Sequence, residues 1–182
     1  MTHSDPRGLV LTTESGVAAQ AFNDAVANFI DWRTATMQHL KTALEADPEF
    51  SLAHAVRGIL TFGLRQPALY GSVAKSLEAA KLTAHAATPR ERAYVEALQD
   101  MLAGDLAAAV ARFESIIQDN PLDLLAIRLA QLELFWLGEA RWTRDIGERA
   151  APAWSADIPG YSAFLSVRAF NLEEVGEYTE AE

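Results

Sequence analysis

The sequence predicts an all-α fold in which about four and a half antiparallel helical hairpins stack into a right-handed superhelix. Nearly every segment between the prolines is rich in Ala, Leu, Glu, Gln and Arg, with apolar residues three and four positions apart, as in amphipathic helices. Each candidate helix runs for about ten to seventeen residues before a break rich in Gly, Pro or Asp, and no segment predicts a convincing strand. The turn glycines Gly104, Gly138 and Gly176 recur at intervals of 34 and 38 residues, a period typical of stacked hairpins.

We expect residues 1–14 to form an N-terminal extension that precedes the repeat array. In the first unit, Ser15 is placed to cap a helix whose turn falls near Asp31, and Pro48 ends the hairpin. The second unit is longer than a usual repeat, and we expect its surplus residues in the connection 63–71. The units of the array, with approximate bounds, are 15–48, 49–88, 89–121, 122–159 and an incomplete 160–182.

The third unit has the clearest signature. Ala109 and Phe113 are four residues apart in its second helix, and Pro121 follows eight residues later. This spacing is that of the second helix in tetratricopeptide repeats. Small residues such as Ala109 fall where the two helices of a hairpin approach most closely, whereas large residues such as Phe113 fill the gap to the next hairpin.

The last two units depart from this pattern. The positions 34 residues after Ala109 and Phe113 are Thr143 and Gly147, so we expect the second helix of the fourth unit, about 141–150, to pack less well. The fifth unit supplies a first helix and only the start of a second. A hairpin cannot bury its apolar stripe alone. We therefore expect either that the chain is a fragment of a longer array or that an additional element covers this end.

Several segments also resemble a known family. Together they are similar to the N-terminal portion of bacterial relatives of tetratricopeptide repeat protein 38, and the likeness covers essentially the whole chain. The resemblance implies a helical-repeat protein whose members are typically longer than this chain. It implies no catalytic residue, because the family is defined by its repeats. The segments that carry the resemblance are 12–15, 43–55, 88–97, 159–162 and 170–176.

Composition narrows the classes of function. The 182 residues include no cysteine, which excludes a disulfide framework, a cysteine nucleophile and thiolate metal sites. The N-terminus lacks the basic-then-apolar order of a signal peptide, and no apolar run is long enough to span a bilayer, so we expect a soluble cytoplasmic protein. The net charge is −10, with most of the excess acids in the second half of the chain. Nucleic acid is therefore a poor partner, because phosphate binding requires clustered Lys and Arg.

First-helix residues line the concave groove of such arrays. An apolar groove would bind an apolar or helical segment, since aromatic and Met side chains give large, adaptable contact areas. The alternative is that the same stripe is buried as core. Our candidates for partner contact are Tyr94, Arg128, Phe135, Trp136 and Phe170. The whole predicted groove comprises Phe62, Tyr94, Leu98, Met101, Arg128, Leu132, Phe135, Trp136, Ser166 and Phe170.

The sequence contains no nucleophile elbow, phosphate loop or dinucleotide fingerprint, and none of its four histidines has a second histidine three or four residues away. We therefore predict no catalytic residue, no cofactor and no metal, and a scaffold that binds a protein or peptide segment or an apolar small molecule. Two alternatives stay open. One is an enzyme or small-molecule binder whose pocket, completed by later repeats, includes His54, Arg57 or Arg128. The other is a structural module that self-associates through its C-terminal end.

Overall fold

A computed structural model describes residues 3–182, and it is all-α, as the sequence predicts, with 74% of the chain in helices. No helix in this described part combines the length and the apolar character needed to cross a bilayer. Three short 3-10 turns lie at Pro67–Leu69, Ala84–Ala86 and Ala151–Ala153. The helices, numbered in chain order, are α1 (Gly16–Ile30), α2 (Thr36–Ala46), α3 (Ser51–Gly63), α4 (Tyr70–Leu82), α5 (Pro89–Ala103), α6 (Leu106–Asp119), α7 (Leu124–Leu137), α8 (Ala140–Ala150), α9 (Tyr161–Glu174) and α10 (Tyr178–Ala181).

The helices belong to two compact units. The first unit ends at Arg112 and contains α1 to α5 with the first half of α6, and the second unit is Phe113–Glu182. In the first unit, α1 packs against α2, and α3 packs against α4 and α5. In the second unit, α8 packs against α7 and α9, and α10 packs against α9. Most of these contacts join helices that follow one another in the chain.

The sequence predicts no strand, but residues near the N-terminus form a short antiparallel pair. Its strands are β1 (His3–Ser4) and β2 (Val10–Leu11). The turn between them is stabilised by Asp5, whose carboxylate accepts hydrogen bonds from the backbone N–H groups of Arg7 and Leu9 at 2.8 and 2.9 Å. Two-residue strands are too short to show an alternating pattern, which is why the sequence prediction was wrong here.

A buried carboxylate joins the N-terminal extension to the helices. Glu91, fully buried in the first turn of α5, accepts hydrogen bonds from the backbone N–H and the hydroxyl of Thr12, both at 2.9 Å. The same carboxylate accepts from the backbone N–H of Thr88 at 2.8 Å, while the Thr88 hydroxyl accepts from the Glu91 N–H, which completes a capping box. The Thr13 hydroxyl also donates to Asp47 at 2.5 Å. Residues 3–14 are thus an integral part of the first unit.

Helix ends fall where the cap and turn signals predict them. Ser15 caps α1 by accepting from the backbone N–H of Ala18 at 3.2 Å. Helices α5 and α7 stop at Gly104 and Gly138, whose φ angles of 85° and 74° lie in the left-handed region that glycine adopts without strain. The surplus residues of the second predicted repeat, 49–88, lie between α3 and α4, at 64–69, and include one of the 3-10 turns.

Helix α8, the second helix of the fourth predicted repeat, has a small residue, Gly147, at the position that corresponds to Phe113 in the third repeat. Helix α8 buries Thr143, Ile146, Gly147 and Ala150. A Cβ atom added at Gly147 would lie 3.0 Å from the side-chain nitrogen of Asn171 on α9, which is tighter than ordinary contact. The small residue therefore allows α8 and α9 to approach closely, and a large residue there would separate them.

Aromatic packing holds the connection between α8 and α9 against α9 in the second unit. The Trp154 ring, in the connection between the two helices, stacks on Phe164 with ring centroids 4.6 Å apart, and its indole N–H donates to the Pro121 carbonyl at 2.9 Å. On α9 itself, Leu172 is buried, whereas Leu165 is 40% exposed. The apolar stripe of this helix is therefore partly covered by the second unit.

Candidate functional site

The predicted groove residues of the first unit lie in its core. Tyr94, Leu98 and Met101 on α5 are 0%, 0% and 1% exposed. Leu98 lies so close to α3 that a Cβ atom added at Gly58 would be 2.5 Å from its Cδ2 atom. Phe62 on α3 is buried as well. For these residues the structure favours the core alternative, because α3 and α5 approach each other across a glycine.

The candidates of the second unit begin with a stripe along α7. Arg128, Leu132 and Phe135 are spaced by four and three residues, which places them on one face of the helix. Arg128 is half-buried, and its guanidinium donates a hydrogen bond to the side-chain oxygen of Gln131. Burial lowers the pKa of Arg128 from its usual value. Arg128 is therefore engaged by neighbouring groups rather than presented to a partner as an isolated charge.

Three of the predicted contact residues do come together on the surface. Phe135 on α7 has its ring centroid 5.8 Å from that of Trp136 and 5.9 Å from that of Phe170 on α9. The three side chains are 50%, 65% and 36% exposed. We call Phe135, Trp136 and Phe170 the aromatic cluster. Ser166, the remaining groove candidate on α9, is exposed and donates its hydroxyl to the Ser162 carbonyl. Large apolar side chains exposed in mutual contact are typical of interaction surfaces.

The C-terminal cap of α7 positions the aromatic cluster. The Gly138 N–H donates to the Phe135 carbonyl at 3.2 Å, and the Glu139 N–H donates to the Leu134 carbonyl at 3.0 Å, which is a Schellman-type cap. These bonds fix the last turn of α7, which carries Phe135 and Trp136. The cluster is therefore displayed on two helices rather than on a loop, and its geometry is set before any partner binds.

A buried polar network lies beside the cluster. The Gln131 side-chain amide on α7 donates to the Asn171 side-chain oxygen on α9 at 2.8 Å and to the Val167 carbonyl at 3.3 Å. Asn171 in turn donates to the Thr143 carbonyl on α8 at 3.2 Å. All three polar residues, Gln131, Asn171 and Thr143, are less than 5% exposed. The sequence interpretation missed this network, although an amide within each of two apolar stretches was the signal that could have revealed it.

A crevice of about 80 Å³ opens next to the aromatic cluster. Its apolar walls are Leu134 and Phe135 from the end of α7 and Phe170 from α9, and Glu174 lines it from the next turn of α9. The remaining lining residues are Gly138, Ala140 and Thr143. An exposed aromatic surface, an apolar crevice and a carboxylate thus occur together within the second unit.

Each unit also has a wider cleft. In the second unit, a cleft of about 550 Å³ is lined mainly by apolar residues, among them Ile117, Ile146 and Pro152, and also by the ion-paired Arg149 and Glu114. In the first unit, an open cleft of about 700 Å³ is lined by polar groups of the N-terminal segment and by exposed side chains such as Glu49 and His85. Neither cleft was predicted from the sequence, since each depends on the juxtaposition of distant segments.

His54 and Arg57, candidates for a pocket in the enzyme alternative, contact each other in the first unit. One imidazole nitrogen of His54 lies 2.7 Å from the Pro48 carbonyl, and the other lies 3.3 Å from the Arg57 guanidinium, which also donates to the Ser76 hydroxyl. The His54 nitrogen facing Arg57 must accept, so the imidazole is neutral with its proton toward Pro48. Desolvation by burial lowers the pKa of His54, the Pro48 hydrogen bond raises it, and Arg57 lowers it further. The pair belongs to the packing of α3 rather than to either wide cleft.

Within residues 3–182, no group of three or more His, Asp or Glu side chains is arranged to hold a metal ion. The second unit presents the aromatic cluster and its crevice as a candidate binding surface, because large apolar side chains are exposed there beside a recess. No protein-family model matches the sequence, and no solved structure is significantly similar to the chain.

Proposed function

We propose that this chain is a tetratricopeptide-like α-solenoid, related to the family of tetratricopeptide repeat protein 38, that acts in the cytoplasm as a scaffold for a protein or peptide segment. The observation that carries the binding role is the aromatic cluster, with Phe135 and Trp136 half or more exposed. The solenoid assignment is supported by sequential packing of α7 on α8 and of α9 on α10, and by left-handed glycines at Gly138 and Gly176.

The cluster suits a helical or extended apolar segment better than a flat polar surface. Aromatic side chains give a large contact area at a low cost in side-chain entropy, and they commonly dominate the free energy of binding at protein interfaces. Because the Gly138 cap fixes the last turn of α7, little ordering is needed when a partner binds. The family resemblance suggests no catalytic residue, which agrees with a role in recognition rather than in chemistry.

One observation favours a second candidate, a small-molecule binder. The cleft near Ile117 and Ile146 has a volume of about 550 Å³, within the range of roughly 300–1,000 Å³ that is usual for ligand sites. Apolar fragments can be added one at a time to the protein in solution. Changes in the NMR chemical shifts of the protein would then reveal such a site. Changes confined to this cleft, and absent at the aromatic cluster, would favour the small-molecule candidate over the scaffold.

The scaffold role is tested by selecting peptides from a random-sequence display library on the whole chain. The double variant Phe135→Ser/Phe170→Ser serves as the counter-target. The matched control is Leu82→Ser, which removes a 75% exposed apolar side chain from α4, far along the chain from the cluster. We expect peptides that bind the wild type and Leu82→Ser but lose about tenfold or more in affinity for the double variant. If every recovered peptide binds the double variant equally well, the proposed function is wrong.

A further inference from the structure

The crevice beside the aromatic cluster restricts what a partner can insert. Its volume of about 80 Å³ is roughly half that of an apolar cavity known to accommodate benzene, about 150 Å³. An aromatic side chain of a partner is therefore too large to be enclosed by it. A narrow aliphatic chain fits, and it would contact the Phe135 and Phe170 rings along its length.

Charge then distinguishes between the aliphatic chains. Glu174 lines the crevice, and Glu139 follows the glycine turn at its edge. Both side chains are exposed, and neither forms an ion pair within the described residues. A neutral aliphatic side chain would partly desolvate the Glu174 carboxylate without compensation, and an acidic one would be repelled.

Two basic residues of the second unit are paired with other carboxylates, whereas the exposed Arg141 follows Ala140 in the chain and does not line the crevice. Arg144 pairs with Glu177 at 3.0 Å, and Arg168 pairs with Glu148 at 2.6 Å. Arg128 lies two helical turns before Phe135 and is bound to Gln131. No Lys or Arg side chain lines the crevice. The lining of the crevice is therefore apolar with one carboxylate, that of Glu174, and is complementary to an apolar segment that carries positive charge.

We propose, on the basis of the scaffold function above, that the crevice receives a lysine side chain of the partner segment. The lysine methylenes pack against Phe135 and Phe170, and the ammonium group pairs with Glu174. Lysine meets both requirements because it combines an unbranched four-carbon stem with a compact charge at its end. The aromatic rings add a cation–π attraction to the ion pair. Apolar residues of the segment that flank the lysine cover Trp136.

The test uses a peptide recovered in the display selection and a copy in which its lysine is replaced by norleucine, which retains the stem and removes the charge. Dissociation constants are measured by fluorescence anisotropy against the whole chain and against Glu174→Gln. We expect each single change to weaken binding about three- to tenfold, and the two changes together to cost no more than one alone. The matched control is Glu173→Gln, which removes the same charge one residue away from the crevice and should change the affinity by less than about twofold.

The outcomes separate this inference from the function on which it rests. Peptides that depend on the aromatic cluster but bind equally well with norleucine would refute the lysine site and leave the scaffold role intact. If Glu173→Gln lost as much affinity as Glu174→Gln, the effect would come from negative charge in general rather than from a specific site. That result would also refute the lysine site. A mass that rises with concentration, and that Phe135→Ser/Phe170→Ser returns to the monomer value, would identify a second copy of the chain as the occupant instead.

Discussion

At the scale of single residues, the buried amides beside the aromatic cluster favour one particular alignment of the helices in the second unit. Gln131 and Asn171 pair with each other across α7 and α9, and Asn171 also binds the backbone of α8. A buried amide that loses its partner retains the full cost of its removal from water. These two residues therefore fix how three helices align, and this alignment brings Phe135 and Phe170 together.

We expect Gln131→Leu to reduce the free energy of unfolding by about 1–3 kcal/mol, because it leaves the Asn171 amide partly unsatisfied. Urea unfolding followed by circular dichroism measures the loss. The double variant Gln131→Leu/Asn171→Leu should be less destabilised than the sum of the two single variants. Gln20→Leu is the control, since Gln20 donates a hydrogen bond to Asp24 on an exposed surface. Additive effects of the two buried substitutions would show that the residues are not coupled.

His54 makes the stability of the first unit depend on pH. Burial lowers its pKa in the folded protein, so the unfolded chain takes up the proton first as the pH falls. The contribution of the neutral imidazole is therefore complete above the unfolded-state pKa of about 6.5 and is lost as the pH falls through that value toward the folded-state pKa. Asp47 acts in the opposite direction and Arg57 in the same direction as burial.

We accordingly expect the urea midpoint of the wild type to fall between pH 7.5 and pH 5.5 by more than that of His54→Gln, which cannot titrate. His85→Gln, which removes an exposed histidine, is the matched comparison and should follow the wild type. Equal pH dependence in the wild type and His54→Gln would mean that other groups cause the effect.

At the scale of elements, the approach of α3 to α5 depends on one glycine. A Cβ atom at Gly58 would lie 2.5 Å from Leu98 Cδ2, so Gly58→Ala should destabilise the protein by about 1–3 kcal/mol. Gly63→Ala is the control on the same helix, since nothing lies within 4 Å of its added Cβ, and it should be neutral or slightly stabilising. Thermal unfolding of the wild type, Gly58→Ala and Gly63→Ala measures the difference in stability. If Leu98→Ala relieves none of the cost of Gly58→Ala, this contact is not the cause.

The same elements show what the sequence could predict. Ser15, Gly104 and Gly138 act through local backbone chemistry, so they located helix ends that the structure confirms. The burial of Leu98 and the exposure of Phe135 could not be distinguished in advance. Both belong to apolar stripes with helical spacing, and only the packing of other helices decides which stripe is covered. The close approach of Gly147 to Asn171 escaped prediction for the same reason.

At the scale of the whole molecule, charge opposes self-association of the exposed apolar surface. Two copies that meet each carry a net charge of −10, so their repulsion is long-ranged at low salt and is screened as salt is added. We expect a mass independent of protein concentration at low ionic strength by static light scattering. Any association should appear only at high salt and should be weaker in Trp136→Ser. Dimers that are strongest at low salt would contradict this account.

The carboxylate of Glu91 makes two distant parts of the first unit open as one. It accepts from Thr12 and also completes the cap of α5, so separation of the N-terminal segment would leave the buried carboxylate without two of its hydrogen bonds and would weaken the support of the helix cap. Opening of either part should therefore require opening of both. The amide of Thr12 should exchange its proton with deuterated solvent at a rate close to that of the first turn of α5, far more slowly than expected for a residue that lies outside the helices.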